Sequence, residues 1–137
     1  MGSELESLLL DTHIWYRWQH DPGKLSRVQF RALERAKRRE AEISVSCFSL
    51  WELAFLGSRG RIKVNGMLKT WLEEMAESPL VKVIPITPLI AAQGAQLGAG
   101  FPSDPADRII VATALCHHLT LLTADERIRG WGGVSVI

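Results

Sequence analysis

The chain has 137 residues and is 47% hydrophobic, which provides enough apolar material for the core of one compact domain spanning residues 1–137. Its two cysteines exclude a disulfide framework and fit a reducing, cytoplasmic location. The net charge of +1 hides a split, since residues 1–70 contain 12 of the 16 Lys and Arg residues; this balance permits a nucleic-acid partner without requiring one.

No segment of the chain is expected to enter a membrane or to direct export. The first six residues have neither the basic nor the apolar region of a leader peptide. Residues 83–101 carry no charge, but they contain Pro85, Pro88 and Gly94, which favour a strand, a turn and a helix over a membrane span. We therefore expect no membrane partner.

Short apolar segments alternate with segments of helical period along the whole chain. In chain order, we predict strands at residues 7–10, 43–46, 81–86, 120–123 and 134–137, and helices beginning near residue 12, over 26–39, 48–56, 66–77, from 88 to about 98, and over 105–117. Ser26 is a favourable N-cap, and the helix over residues 48–56 is expected to stop near Gly57. Short strands that are apolar on both faces and separated by helices indicate a mostly parallel sheet covered on both sides, so the fold class is α/β.

Two basic stretches stand out. The exposed side of the predicted helix over residues 26–39 is rich in Arg and Lys, and Arg59, Arg61 and Lys63 follow the next helix. Either stretch could track an RNA backbone, and a solvated surface explains both equally well. Trp51 lies in an apolar run, which favours a core or dimer-interface role over base stacking.

Four carboxylates lie at or near the edges of apolar segments. Asp11 and Asp125 follow predicted strands, Asp107 lies at the start of a predicted helix, and Glu52 is the only charged residue between positions 42 and 59. Groups at the carboxyl ends of parallel strands meet in one crevice, so these acids are expected to converge. Converging carboxylates do not all stay ionised without cations. Hard divalent ions are their natural occupants, with phosphoryl transfer or phosphodiester hydrolysis as the associated chemistry.

Three of these acids also have structural explanations. Asp11 stands where an N-cap would stand, and Asp125 could be an ordinary turn residue. Glu52 could share a narrow, solvent-facing polar stripe with Ser49. If Glu52 is instead buried, it needs a metal or a positive residue, because an unpaired buried carboxylate is costly.

At the start of the predicted helix over residues 105–117, the roles of two acids and one arginine have to be distinguished. Asp104 and Asp107 both lie where acids favour the positive end of the helix dipole. We favour Asp107 as the ligand, because it lies about one turn into the helix, and give Asp104 a supporting or capping role. Arg108 could hold a phosphate, but pairing with a neighbouring acid is the better explanation.

Four segments, in order, resemble the PIN domain and specifically the VapC-type toxins of toxin–antitoxin pairs. They are residues 8–13 (Leu-Leu-Leu-Asp-Thr-His), 49–54 (Ser-Leu-Trp-Glu-Leu-Ala), 104–114 (Asp-Pro-Ala-Asp-Arg-Ile-Ile-Val-Ala-Thr-Ala) and 121–127 (Leu-Leu-Thr-Ala-Asp-Glu-Arg). No single segment is specific, but the ordered set spans nearly the whole chain.

The resemblance implies a single PIN domain, built as a three-layer α/β/α sandwich with a mostly parallel central sheet. It implies a Mg²⁺- or Mn²⁺-dependent endoribonuclease that acts on RNA, forms a homodimer and is inhibited by a cognate antitoxin. Carried over residue by residue, the catalytic and metal-binding quartet is Asp11, Glu52, Asp107 and Asp125, with Asp104 as an additional aspartate and Thr123 near the pocket. Relatives often carry histidines just before Asp-Pro, where this chain has residues 100–103 (Gly-Phe-Pro-Ser), so any substrate contact of those histidines does not carry over.

The predicted reaction is hydrolysis of RNA by metal-activated water. One ion would be held mainly by Asp11 and Asp107, a second would lie near Asp125, and Glu52 would complete the cage or orient a water. An all-carboxylate set disfavours zinc and favours Mg²⁺ or Mn²⁺.

Two other classes of protein compete with this interpretation. A PIN-like module that binds RNA or metal without cleavage is disfavoured by the complete quartet. A phosphoacceptor receiver domain also gathers acids at strand ends, but it requires a lysine after a late strand. The last lysine of this chain is Lys82, so the receiver class is disfavoured as well.

Overall fold

The central sheet is parallel throughout the part of the chain that the structure, a computed structural model, describes, namely residues 6–102 and 104–137. Residues 1–5 and Ser103 lie outside this part. The prediction that no segment directs export rests largely on those first residues. Strands β1 (Leu8–Leu10), β2 (Ile43–Ser46), β3 (Lys82–Ile84) and β4 (Thr120–Leu122) are arranged in the order β3-β2-β1-β4. Leu10 is in register with Val45 on one side and Leu122 on the other, so the residues that follow β1, β2 and β4 emerge at one edge.

Helices cover both faces of this sheet. They are α1 (Thr12–His20), α2 (Arg27–Arg38), α3 (Cys47–Ser58), α4 (Leu68–Glu77), α5 (Pro88–Ala95), α6 (Pro105–His117) and α7 (Glu126–Trp131), with a 3-10 turn at Pro22–Lys24. Alternate residues of a strand point to opposite faces. Leu8 and Leu10 accordingly pack with residues of α1 to α4, and Leu9 packs with residues of α5 to α7. The predicted three-layer α/β/α sandwich is confirmed.

Several predicted boundaries need correction. The helix over residues 48–56 is expected to stop near Gly57, and α3 ends one residue beyond it, at Ser58. A Cβ on Gly57 would lie 2.8 Å from Val64 Cγ2, so this glycine provides space for the next segment to pack and does not end the helix. The strand predicted at residues 81–86 ends at Ile84, because Pro85 has no N–H to donate.

The carboxyl end of the chain was predicted as a strand over residues 134–137. It forms only a single parallel bridge, between Leu121 and Val136, with Ile137 N donating to Leu121 O at 2.9 Å. Helix α7 was not predicted, because its six residues are too few for a recognisable helical period. No helix within residues 6–102 and 104–137 combines the length and apolarity needed to cross a membrane.

Candidate functional site

A cleft of about 310 Å³ opens at the edge of the sheet where β1, β2 and β4 end. All five acids singled out in the sequence line it, although they come from four separate segments of the chain. Its lining residues are Asp11, Thr12, His13, Arg17, Glu52, Asp104, Asp107, Ile110, Ala124, Asp125 and Arg127. The predicted convergence of the acids is therefore present in the structure, while their catalytic and metal-binding roles stay predictions.

Asp11 both caps a helix and lines the cleft. It is the N-cap of α1, because its Oδ1 accepts a hydrogen bond from Ile14 N at 2.9 Å. Its carboxylate also accepts a hydrogen bond from the Thr123 side chain and faces the cleft. Burial raises the pKa of Asp11, an effect that these hydrogen bonds partly oppose.

Glu52 is held in the cleft by a hydroxyl group. Thr12 donates a hydrogen bond to Glu52 Oε1, and the Thr12 oxygen lies 2.9 Å from Ser49 Oγ. Since Ser49 is fully buried, the alternative of a solvent-facing polar stripe is wrong. Burial raises the pKa of Glu52, and repulsion from Asp104 raises it further.

The start of α6 contributes two acids to the cleft, and one of them also caps the helix. Asp104 is the N-cap, with its Oδ1 accepting from Ala106 N at 2.9 Å and from Asp107 N at 3.4 Å. The Asp107 side chain is 19% exposed and lines the cleft. Burial, together with the negative charges of Asp104 and Asp125, raises the pKa of Asp107 to about 7. Both acids line the cleft, so the preference for Asp107 over Asp104 as the ligand stays a prediction.

Asp125 lies opposite Asp107 and is bound to Arg127. Its Oδ1 accepts from Arg127 N at 2.8 Å, which caps α7. The guanidinium Nη2 donates to Asp125 Oδ2 at 2.9 Å and to Asp107 Oδ2 at 3.2 Å. Hydrogen bonding from Arg127 lowers the pKa of Asp125. No role for Arg127 was predicted from the sequence. Its position two residues after Asp125 was the only local sign of this contact.

Thr123 links the acids to the body of the fold. It is fully buried, its hydroxyl accepts from Asp125 N at 3.0 Å, and its side chain reaches Asp11. Its carbonyl accepts from Gln29 Nε2 and from Arg129 Nη2, each at 3.0 Å. The predicted position of Thr123 near the pocket agrees with this geometry. Gln29 was not predicted as a partner of Thr123, because the Ser26–Gln29 capping box explains its place in the first turn of α2 and no local signal indicates the distant contact.

Arg108 takes neither of its expected roles. Its Nη1 donates to Gly94 O at 3.1 Å, and its guanidinium lies 5.6 Å from the centre of the Phe101 ring. It does not line the cleft, and within the described residues it forms no ion pair with an acid. Arg108 therefore joins α6 to α5.

The cleft offers carboxylate oxygens from several segments of the chain. Oxygen ligands of this type are the ones that hard divalent cations prefer. Within residues 6–102 and 104–137, no three His, Cys, Asp or Glu side chains lie close enough together to hold a metal in this conformation. The cation that bridges Asp107 and Asp125 here is the Arg127 guanidinium.

The fold and the cleft define a class of protein, namely a parallel α/β/α sandwich with acids gathered at the carboxyl edge of its sheet. A family model described as the PIN domain matches residues 8–132. The chain belongs to the PIN-domain family, as the four sequence segments predicted.

The similarity extends to individual relatives. Ribonuclease VapC22 of Mycobacterium tuberculosis is 39% identical over 125 residues, which cover 91% of this chain and 92% of the relative. A chain in the crystal structure of FitAcB from Neisseria gonorrhoeae is 25% identical, with a TM-score of 0.63 over 95% of this chain and 96% of that chain. A chain of VapBC2 from Rickettsia felis, solved with a DNA fragment from its promoter, is 16% identical, with a TM-score of 0.70 over 95% and 96%. The VapC-type resemblance is thereby confirmed.

Proposed function

We propose that the protein is a metal-dependent endoribonuclease that hydrolyses RNA phosphodiester bonds as the toxin of a toxin–antitoxin pair. The observation that carries this proposal is the convergence of Asp11, Glu52, Asp107 and Asp125 in one cleft of a PIN-domain chain. The 39% identity to a protein named as a ribonuclease supports the same reaction class.

These four carboxylates would hold Mg²⁺ or Mn²⁺, the cations that suit an all-oxygen donor set. Such an ion would supply a water of lowered pKa and polarise a phosphoryl oxygen of the RNA. Side chains of the protein would hold these carboxylates in place. Thr12 fixes the Glu52 carboxylate, and Thr123 fixes both Asp11 and the turn that carries Asp125. Preorganised groups of this kind lower the reorganisation needed during reaction.

The proposed partners are the RNA substrate, a cognate antitoxin and a second copy of the chain. A solved structure described as a toxin–antitoxin complex from Klebsiella pneumoniae contains a chain that shares this fold, with a TM-score of 0.62. On α3, Trp51 is 57% exposed and stacks on Phe55 with ring centres 5.2 Å apart. Exposed aromatic groups of this size support a protein interface. We further propose that residues 1–137 form one PIN domain acting in the cytoplasm.

A PIN-like module that binds RNA or metal without cleavage is the alternative. Such a module would use the same acidic cleft for binding and would leave RNA intact.

Cleavage of a mixed single-stranded RNA pool in Mn²⁺ or Mg²⁺ tests the proposal. The parent is compared with Asp107→Asn and with Asp21→Asn, a matched change at an acid whose ion pair with Lys24 lies outside the cleft. We expect cleavage by the parent and by Asp21→Asn, its loss in EDTA, and a fall of at least about a hundredfold in Asp107→Asn, a size typical of losing an electrostatic catalytic group. Equal rates for the parent and Asp107→Asn would refute the assignment of the cleft, whereas metal binding without cleavage would favour the alternative.

A further inference from the structure

One guanidinium contacts two of the proposed metal ligands. Arg127 Nη2 contacts Asp107 Oδ2 at 3.2 Å and Asp125 Oδ2 at 2.9 Å, and Arg127 Nε contacts Asp125 Oδ1 at 3.3 Å. Asp107 belongs to α6 and Asp125 to the turn after β4, so the arginine joins two separate segments of the fold. A cation at this point offsets the repulsion between two neighbouring carboxylates.

The arginine is held only loosely. Its side chain is 61% exposed, whereas those of Asp107 and Asp125 are 19% and 24% exposed. The guanidinium therefore lies on the solvent side of the acids, and rotation about the side-chain bonds removes it without unpacking the core. Ion pairs with this much exposure contribute little net stability, so breaking them is inexpensive.

We propose that Arg127 is a tethered cation that competes with the divalent metal for Asp107 and Asp125, and thereby sets the metal affinity of the cleft. This inference rests on the proposed function. While Arg127 Nη2 contacts Oδ2 of both aspartates, a divalent ion beside the same two oxygens would lie close to a second cation and be repelled by it. The divalent ion prevails once its concentration is high enough to displace a single tethered charge.

Mn²⁺ affinity provides a test that does not depend on cleavage. Isothermal titration at about pH 8, above the pKa of about 7 for Asp107, keeps proton competition small. We expect Arg127→Gln to bind Mn²⁺ about tenfold more tightly than the parent, since it removes one positive charge beside the ion. Arg127→Lys keeps the charge and should remain near the parent. Arg31→Gln makes the same change of net charge on the exposed face of α2 and should not alter the affinity.

Nuclear magnetic resonance of the parent gives an independent measurement. The Arg127 Nε–Hε signal, identified by its absence in Arg127→Lys, should move as Mg²⁺ is added, because its bond to Asp125 Oδ1 is broken. This titration carries the test alone if circular dichroism shows that Arg127→Gln does not fold.

The outcomes separate this inference from the function on which it rests. Unchanged or weaker Mn²⁺ binding in folded Arg127→Gln, or an Arg127 signal that stays in place while metal binds, would overturn the competition even if the parent cleaves RNA. Similar tightening in Arg127→Gln and Arg127→Lys would also overturn it, since the effect would then not follow the charge. Failure of the parent to bind metal or cleave RNA would remove the proposed function together with the inference.

Discussion

The buried amide of Gln29 is expected to be a main support of the cleft, and replacing it with methionine tests this. Gln29 is 3% exposed, and its Nε2 donates to Thr123 O at 3.0 Å and to Ile137 O at 3.1 Å. It thus connects α2 to the end of β4 and to the last residue of the chain. Methionine has a similar length and is apolar, so the substitution removes both donors, together with the weak 3.4 Å capping-box contact from Ser26 N to Gln29 Oε1, without leaving a large cavity.

The expected loss follows from these contacts. Each hydrogen bond contributes about 1 kcal/mol net, and a carbonyl that loses its donor adds a further penalty, so the free energy of unfolding should fall by about 2–3 kcal/mol. Arg129 continues to donate to the Thr123 carbonyl, which limits the penalty at that end. A loss of this size corresponds to a fall in Tm of about 5–10 °C for a chain of this length.

Urea unfolding followed by tryptophan fluorescence measures the change. Gln96→Met serves as the control, because Gln96 is exposed at the end of α5 and the same chemical change there should be nearly neutral. A destabilisation below about 1 kcal/mol in Gln29→Met, or one equal to that of the control, would show that the two hydrogen bonds do not support the fold as argued.

Two further predictions concern Thr12 and His20. Thr12→Val removes the donor to Glu52, so we expect RNA cleavage to slow by about tenfold, the equivalent of one charged hydrogen bond; the exposed Thr70→Val on α4 is the matched control, and an unchanged rate for Thr12→Val would contradict the role of Thr12 in orienting Glu52. Burial lowers the pKa of His20, whose Nε2 accepts from Trp71 Nε1 at 3.2 Å. The unfolded chain therefore takes up the proton first, and the contribution of His20 to stability is complete above about pH 6.5 and decreases as the pH falls below it. The difference in unfolding free energy between the parent and His20→Phe, measured from about pH 8 to pH 5, should shrink toward acid, and a constant difference would exclude this linkage.

Local patterns in the sequence determined the strands, most helices and the acids that follow them. The apolar triplet before Asp11 predicts a strand, and the Asp-Pro pair predicts the start of α6. Each pattern involves only a few neighbouring residues, because the strand and helix periods are short. Parallel pairing then required Asp11 and the turn before Asp125 to emerge at the same edge, which is why their convergence could be predicted.

The tertiary structure alone decided which side chains hold these acids. Gln29 and its partner Thr123 are 94 positions apart in the sequence. Thr12 and Glu52 are 40 positions apart, and Arg127 and Asp107 are 20 apart. Such partners depend on strand register, on helix rotation and on the rotamer of each side chain, and none of these leaves a periodic signal in the chain. Arg108 and Arg127 show most clearly that the sequence alone does not identify such partners, since each follows an aspartate of the cleft. Packing directs Arg108 to a carbonyl of α5, and only Arg127 contacts the acids.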